Sequence, residues 1–161
     1  MNTSDPDIAR WKFIAKHTPN QTQPVIVDVG ANPLENPPFK KLVETGLCRV
    51  HGFEPQAQAF ARLQETKGPN EDYENCAVGD GRTHPFHVYR QSGLSSIFSL
   101  DRSAMQFLGR PDRPAQLLDH FAVKTKRLND VNLAGDLDLL KIDAQGAETM
   151  IFDHGTDKLQ N

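Results

Sequence analysis

The segment Val27–Asp28–Val29–Gly30–Ala31–Asn32 carries the first residues with chemistry to offer. A glycine directly after a valine-rich run lets a ligand approach the backbone closely, because no Cβ stands in the way. In an open parallel sheet, ligands bind beyond the carboxyl ends of the strands, where strand order reverses. The same six residues would also suit a plain strand-to-helix turn, and alone they do not decide. Glu54 stands 24 residues beyond Gly30, at the end of a second strand-like segment, Arg49–Phe53. An acid at that place accepts hydrogen bonds from the two ribose hydroxyls of a nucleoside. Taken alone, Glu54 reads as a surface glutamate; paired with the glycine turn, it favours a nucleoside site.

The phosphate chemistry narrows the nucleoside. A dinucleotide site wants three glycines at fixed spacing, so that a pyrophosphate can sit on a helix N-terminus. After Gly30 the next glycine is Gly46, and no Gly-Lys-Ser/Thr segment occurs. The missing glycines disfavour a nicotinamide-dependent oxidoreductase. S-adenosylmethionine has an adenosine and no phosphate, so it needs the ribose-binding acid without the phosphate cradle. The sequence leans toward that cofactor.

Other reactive residues form no constellation. Ser92, Ser95, Ser96 and His87 could be paired as nucleophile and base, but no Gly-x-Ser-x-Gly elbow frames a serine. The histidines at 51, 84, 87, 120 and 154 do not fall at metal-ligand spacing. Cys48 and Cys76 are too few for a disulfide framework and read as buried, reduced thiols. Arg102, Arg110 and Arg113 lie in an irregular stretch from Gln91 to Asp119; they could meet an anionic acceptor, although solvated arginines are the plainer reading.

These residues need a frame, and the pattern supplies an α/β one. Ser4, Asp5 and Pro6 cap a first helix carrying Ile8, Trp11, Ile14 and Ala15 at helical spacing, and Pro19 ends it. Pro24–Val29, Arg49–Phe53 and Tyr73–Val78 read as strands, with helices over Phe39–Thr45 and Gln56–Lys67 between them. The β-α-β-α-β alternation predicts a Rossmann-like, doubly wound and mostly parallel sheet. Residues 83–126 interrupt it as an insertion, with strands at His84–Arg90 and Phe121–Thr125. Leu94–Leu100 is partly extended there, and Asp101–Leu108 is a short capped helix. The rhythm returns with a strand at Asp138–Asp143 and a helix at Gly146–Asp153, capped by Gly155. Residues 1–23 are thus an N-terminal helix and linker, and residues 24–161 the domain proper.

Four motifs in this order resemble the FkbM family of class I methyltransferases: Val-Asp-Val-Gly-Ala-Asn (27–32), Gly-Phe-Glu-Pro-Gln (52–56), Asn-Cys-Ala-Val-Gly-Asp (75–80) and Leu-Lys-Ile-Asp-Ala-Gln-Gly-Ala-Glu (140–148). Lys126–Asp130 is similar to the segment that usually precedes the last motif, with Asn129 in place of its aspartate. The resemblance implies S-adenosylmethionine as cofactor and a small hydroxylated acceptor, such as a sugar, methylated on oxygen. It places Asp28, Gly30 and Asn32 around the methionine part of the cofactor and Glu54 on the ribose. Asn75, Cys76 and Ala77 would lie along the adenine. Asp143 would face the sulfonium and the acceptor, where a carboxylate can stabilise the cationic methyl donor or take the acceptor's proton. Glu148 would be a first-turn acid with a structural role.

Two features depart from the family pattern. After Asn32 the turn runs into Pro33, Pro37 and Pro38 rather than a second glycine. Seven strands in the order 3-2-1-4-5-7-6 are usual, and the sequence supplies four of them before Asn161. The last of these strands is therefore expected to be an exposed edge, open to pairing with a second copy. A non-catalytic remnant of the fold is the rival expectation. A net charge of −3 without charge runs argues against nucleic acid and acidic membrane surfaces as partners. No apolar stretch approaches the ~20 residues of a membrane span, and residues 1–20 lack signal-peptide features. Those observations set the expectation of a cytoplasmic protein.

Overall fold

The computed structural model describes residues 6–17, 23–33, 36–107, 109 and 115–160. The expected cap at Ser4–Asp5, the stop at Pro19, and Arg110 and Arg113 lie outside them. The first helix, α1, runs Pro6–His17, opening on the proline that suits a first turn.

β1 (Val25–Val29) is buried at every residue, as a β-branched run between two neighbours should be. It pairs in parallel with β2 (Arg49–Phe53) on one side and with the strand Leu137–Ile142 on the other. β2 pairs in parallel with β3 (Glu71–Glu74). Between them run α2 (Lys40–Glu44) and α3 (Ala57–Thr66). The period-2 alternation along β1 divides the core. Val27 and Val29 join Phe53, Leu128 and Ile151 on one face, while Ile26 meets Phe39, Val43, Cys48 and Val50 on the other. Covered faces on both sides of a parallel sheet are the doubly wound arrangement expected from the alternation.

The expected third strand, Tyr73–Val78, divides into two. β3 stays in the parallel sheet, while β4 (Ala77–Val78) joins a second sheet. The chain turns between them because the Asn75 amide reaches back to the carbonyls of Glu54 (2.8 Å) and Pro55 (3.2 Å). The interruption at 83–126 is an antiparallel pair, β5 (Thr83–Tyr89) with β6 (Leu117–Lys126), and β4 runs parallel to β6. β6 is longer than the expected Phe121–Thr125. Its first six residues are exposed and lack the alternation that marks a strand, and they are held by β5. Within this stretch Ser92–Leu94 is a 3₁₀ turn, and Ser96 bridges His87 in antiparallel fashion. α4 (Arg102–Phe107) is capped as expected, by Asp101 Oδ1 accepting from the backbone of Ser103 and Ala104.

β7 (Leu137–Ile142) completes the four-stranded order β3-β2-β1-β7, the order 3-2-1-4 of the sequence expectation. It is the edge of that sheet among the described residues, and Leu139 on it is half-exposed. α5 (Glu148–Asp153) begins two residues later than expected, because Gln145 and Gly146 both have positive φ (53° and 104°). α6 (Thr156–Leu159) follows. Gly155 is not the left-handed cap the sequence suggested: its φ is −126°. Its smallness serves packing, since a Cβ there would fall 2.6 Å from Leu128 Cδ2 and 3.0 Å from the Ile151 carbonyl oxygen. Gly155→Ala is therefore expected to cost about 1–3 kcal/mol through overpacking. A denaturant midpoint unchanged from the parent would contradict that contact.

Candidate functional site

A pocket opens where β1, β2, β4 and β7 end at their carboxyl sides, with Gly30, Asn32, Glu54, Ala77 and Asp143 on its walls. Of the eight residues the motifs single out, these five come together around one cavity. Gly30 and Glu54, the pair on which the nucleoside reading rests, share it.

The glycine is there for a steric reason. Gly30 has φ +79°, and a Cβ on it would lie 2.2 Å from the carbonyl oxygen of Asp143. Both its N–H and that of Ala31 donate to the Phe53 carbonyl at 3.0 Å, which pins the turn to the end of β2. The Asp143 N–H donates to the Val29 carbonyl at 2.9 Å, pinning the third strand end to the first.

Glu54 is 2 % exposed, next to the fully buried Phe53. Its Oε1 accepts from the Gln56 N–H at 2.8 Å. Burial pushes its carboxyl up to about 7; the Gln56 N–H and the Lys141 cation pull the other way, and the nearby Asp28 adds to the rise. A buried carboxyl with a raised pKa at a cavity wall marks a candidate functional group.

Asp143 is exposed at the pocket rim, and the Gln145 side-chain amide donates to its Oδ1. Asn32 donates from Nδ2 to Ser92 Oγ at 3.1 Å, and Gln56 Nε2 donates to the Ser92 carbonyl at 3.3 Å. Ser96, buried, donates to the Ala144 carbonyl at 3.1 Å. Ser92, Ser95 and Ser96 thus line the pocket. Being serines in an irregular stretch, they gave no periodic signal. The first part of the interruption, Ser92–Ile97, therefore lies over the strand ends.

Three motif residues stand off the pocket wall. Asp28 alternates away from Val29 onto the face of Ile26, where its Oδ1 lies 2.8 Å from Lys141 Nζ. Burial raises the Asp28 carboxyl, opposed by Lys141. Asn75 spends its amide on the Glu54–Pro55 turn, as described above. Cys76 faces a separate groove beside Glu74 and Lys126, themselves ion-paired. Burial, with Glu74 adding to it, pushes its thiol up to about 11, so it stays protonated and unreactive at neutral pH. Glu148 accepts from the Gly146 N–H at 2.9 Å, the structural role expected of it. Lys141 was missed. A lysine in an otherwise apolar strand, in register with Asp28 across the sheet, is the signal that could have found it.

A parallel sheet in the order 3-2-1-4, with helices on both faces and a pocket at its carboxyl edge, defines a Rossmann-like α/β protein. Residues 28–161 match the family model of the methyltransferase FkbM domain. The chain belongs to that family and is a methyltransferase by that membership. No curated protein and no solved structure matches it. Among the described residues no helix is long and apolar enough to cross a membrane, and no group of three or more His, Cys, Asp or Glu could hold a metal.

Proposed function

We propose that this pocket binds S-adenosylmethionine and that the protein methylates an oxygen of a small, neutral, hydroxylated acceptor such as a sugar. The observation that carries the reading is the placement of a buried carboxyl, Glu54, and a glycine turn, Gly30, on the walls of one cavity with Asp143 at its rim. The residues present fit an adenosyl group. Glu54 would accept from the ribose hydroxyls, Gly30 and Asn32 would lie beside the methionine part, and Ala77 with Phe86 and Ile97 would give apolar contact to the adenine. Asp28 and Asn75 would support this site from behind, through Lys141 and through the Glu54–Pro55 turn. Cys76 would contribute backbone only, since its side chain faces the other groove.

The bound cofactor supplies a methyl group already activated by its sulfonium, so the protein's part is positioning and proton handling. Asp143 does the second: its rim position leaves it open to an acceptor hydroxyl, and Gln145 fixes one oxygen. The neutral polar side chains on the wall, Asn32, Gln56, Ser92, Ser95 and Ser96, suit the exchange of hydrogen bonds with hydroxyls. No lysine or arginine lines this pocket among the described residues, which favours a neutral acceptor over a phosphorylated one.

Calorimetric titration of the protein with S-adenosylmethionine and S-adenosylhomocysteine tests the cofactor assignment. Saturable binding of both is expected, and absence of either heat or competition would end it. For the acceptor step, Asp143→Asn is expected to lower kcat by about 10²–10⁴-fold while cofactor affinity stays within a few-fold. Equal losses in both would make Asp143 a cofactor ligand instead of a base.

A further inference from the structure

The geometry points to Lys141 as a positioning residue of the cofactor site, a role that rests on the cofactor reading above. Its Nζ makes two contacts across the sheet: an ion pair with Asp28 Oδ1 at 2.8 Å and a hydrogen bond to the Gly30 carbonyl at 3.1 Å. The Asp28 side chain is 7 % exposed and the Lys141 side chain 31 %, so the pair sits beneath the site with its cation near the surface. The second contact matters most. The Gly30 N–H and carbonyl are then both committed, the N–H to the end of β2 and the carbonyl to a side chain of β7. The turn is clamped from two strands, and its free face is the one toward the pocket. Lys141 does not itself line the cavity; it reaches the wall only through the Gly30 carbonyl.

The charged groups acting on Glu54 are Asp28 from β1 and Lys141 from β7, and Asp143, just beyond β7, acts in turn on Asp28. Lys141 is the cation among them. It balances two buried carboxyls whose mutual repulsion would otherwise grow, and so couples the glycine turn to the ribose-binding acid.

A purely structural counter-ion and a positioning residue predict different results in a double variant. Lys141→Met leaves Asp28 buried without its cation, and is expected to lower the melting temperature by about 10 °C. It should also weaken S-adenosylhomocysteine binding on the order of 10–100-fold. Adding Asp28→Asn removes the uncompensated charge and should recover the melting temperature but not the binding, because the Gly30 carbonyl is still unheld. Asp28→Asn alone should weaken binding less than Lys141→Met does, because Lys141 still holds the Gly30 carbonyl. The pH midpoint of binding in Lys141→Met should move upward, since Glu54 loses its nearest cation. If the double variant binds as the parent does, or Asp28→Asn loses as much as Lys141→Met, Lys141 is only the partner of Asp28 and the inference fails. If the unmodified protein binds no S-adenosylhomocysteine, the cofactor reading fails first, whatever the variants do.

Discussion

Titrated with S-adenosylhomocysteine at pH 8, Glu54→Gln is expected to bind at least about 30-fold more weakly than the parent, yet to be the more stable protein. The glutamine keeps the length of the side chain and an oxygen for the Gln56 N–H, so the local fold survives. What it loses is the charge that would receive two ribose hydroxyls, and charge-assisted hydrogen bonds are worth about 1.5–3 kcal/mol each. The stability gain follows from linkage. Glu54 has a folded-state pKa of about 7 against an ordinary value of 4.5, so between those values the folded protein binds more protons than the unfolded chain. Its contribution to stability therefore falls as pH rises through that window and is fully lost above pH 7. The whole shift corresponds to about 3 kcal/mol at most. Thermal melts of the ligand-free proteins should accordingly coincide near pH 4.5 and separate by several degrees at pH 8, with the variant higher. Parent affinity should move the opposite way, strengthening from pH 6 to pH 8 as the carboxylate forms. A variant that binds like the parent at pH 8 would remove Glu54 from the ribose.

The parts of this architecture that the sequence made legible are those where burial leaves a one-dimensional trace. β1, β2 and β7 end at Gly30, Glu54–Pro55 and Asp143, and their bounds lie within a residue of those the sequence suggests. Their order, β3-β2-β1-β7, is the one the family resemblance implied. The trace fails where a single side chain redirects the chain. Tyr73–Val78 looks like one strand until the Asn75 amide is seen bonded back to the Glu54–Pro55 turn. β6 owes its first half to pairing with β5 rather than to its own pattern, because residues 117–122 are exposed on both faces.

The site divides the same way. Residues immediately after a strand, Gly30, Glu54 and Asp143, share one pocket, since strand ends converge whatever the side-chain details. Residues within a strand obey alternation, and a motif does not state which face is which. Asp28 belongs to the face of Ile26, so it meets Lys141 and not the cavity. Counting in twos from the buried Val29 would have shown it.

Gly30→Ala isolates the steric demand at the junction of the three strand ends. The added Cβ would fall 2.2 Å from the Asp143 carbonyl oxygen and 3.0 Å from its carbon. Both are backbone atoms, so no rotamer change relieves the contact. The turn and the end of β7 must separate, which puts the Asp143 N–H to Val29 carbonyl bond at risk. A non-glycine residue at φ +79° adds about 1 kcal/mol or more of its own. Together the cost should reach about 3–5 kcal/mol, a large share of the 5–15 kcal/mol that typically holds a domain together. Gly146→Ala supplies the control, because it also has positive φ (104°) but its nearest neighbour would be Phe98 Cδ2 at 3.7 Å. It bears the backbone strain without the clash, at about 1–2 kcal/mol. Thermal unfolding should therefore show Gly146→Ala a few degrees below the parent and Gly30→Ala about 10 °C or more below it. Equal losses in the two variants would mean that backbone conformation alone sets the requirement, and that the turn is not pressed against the end of β7.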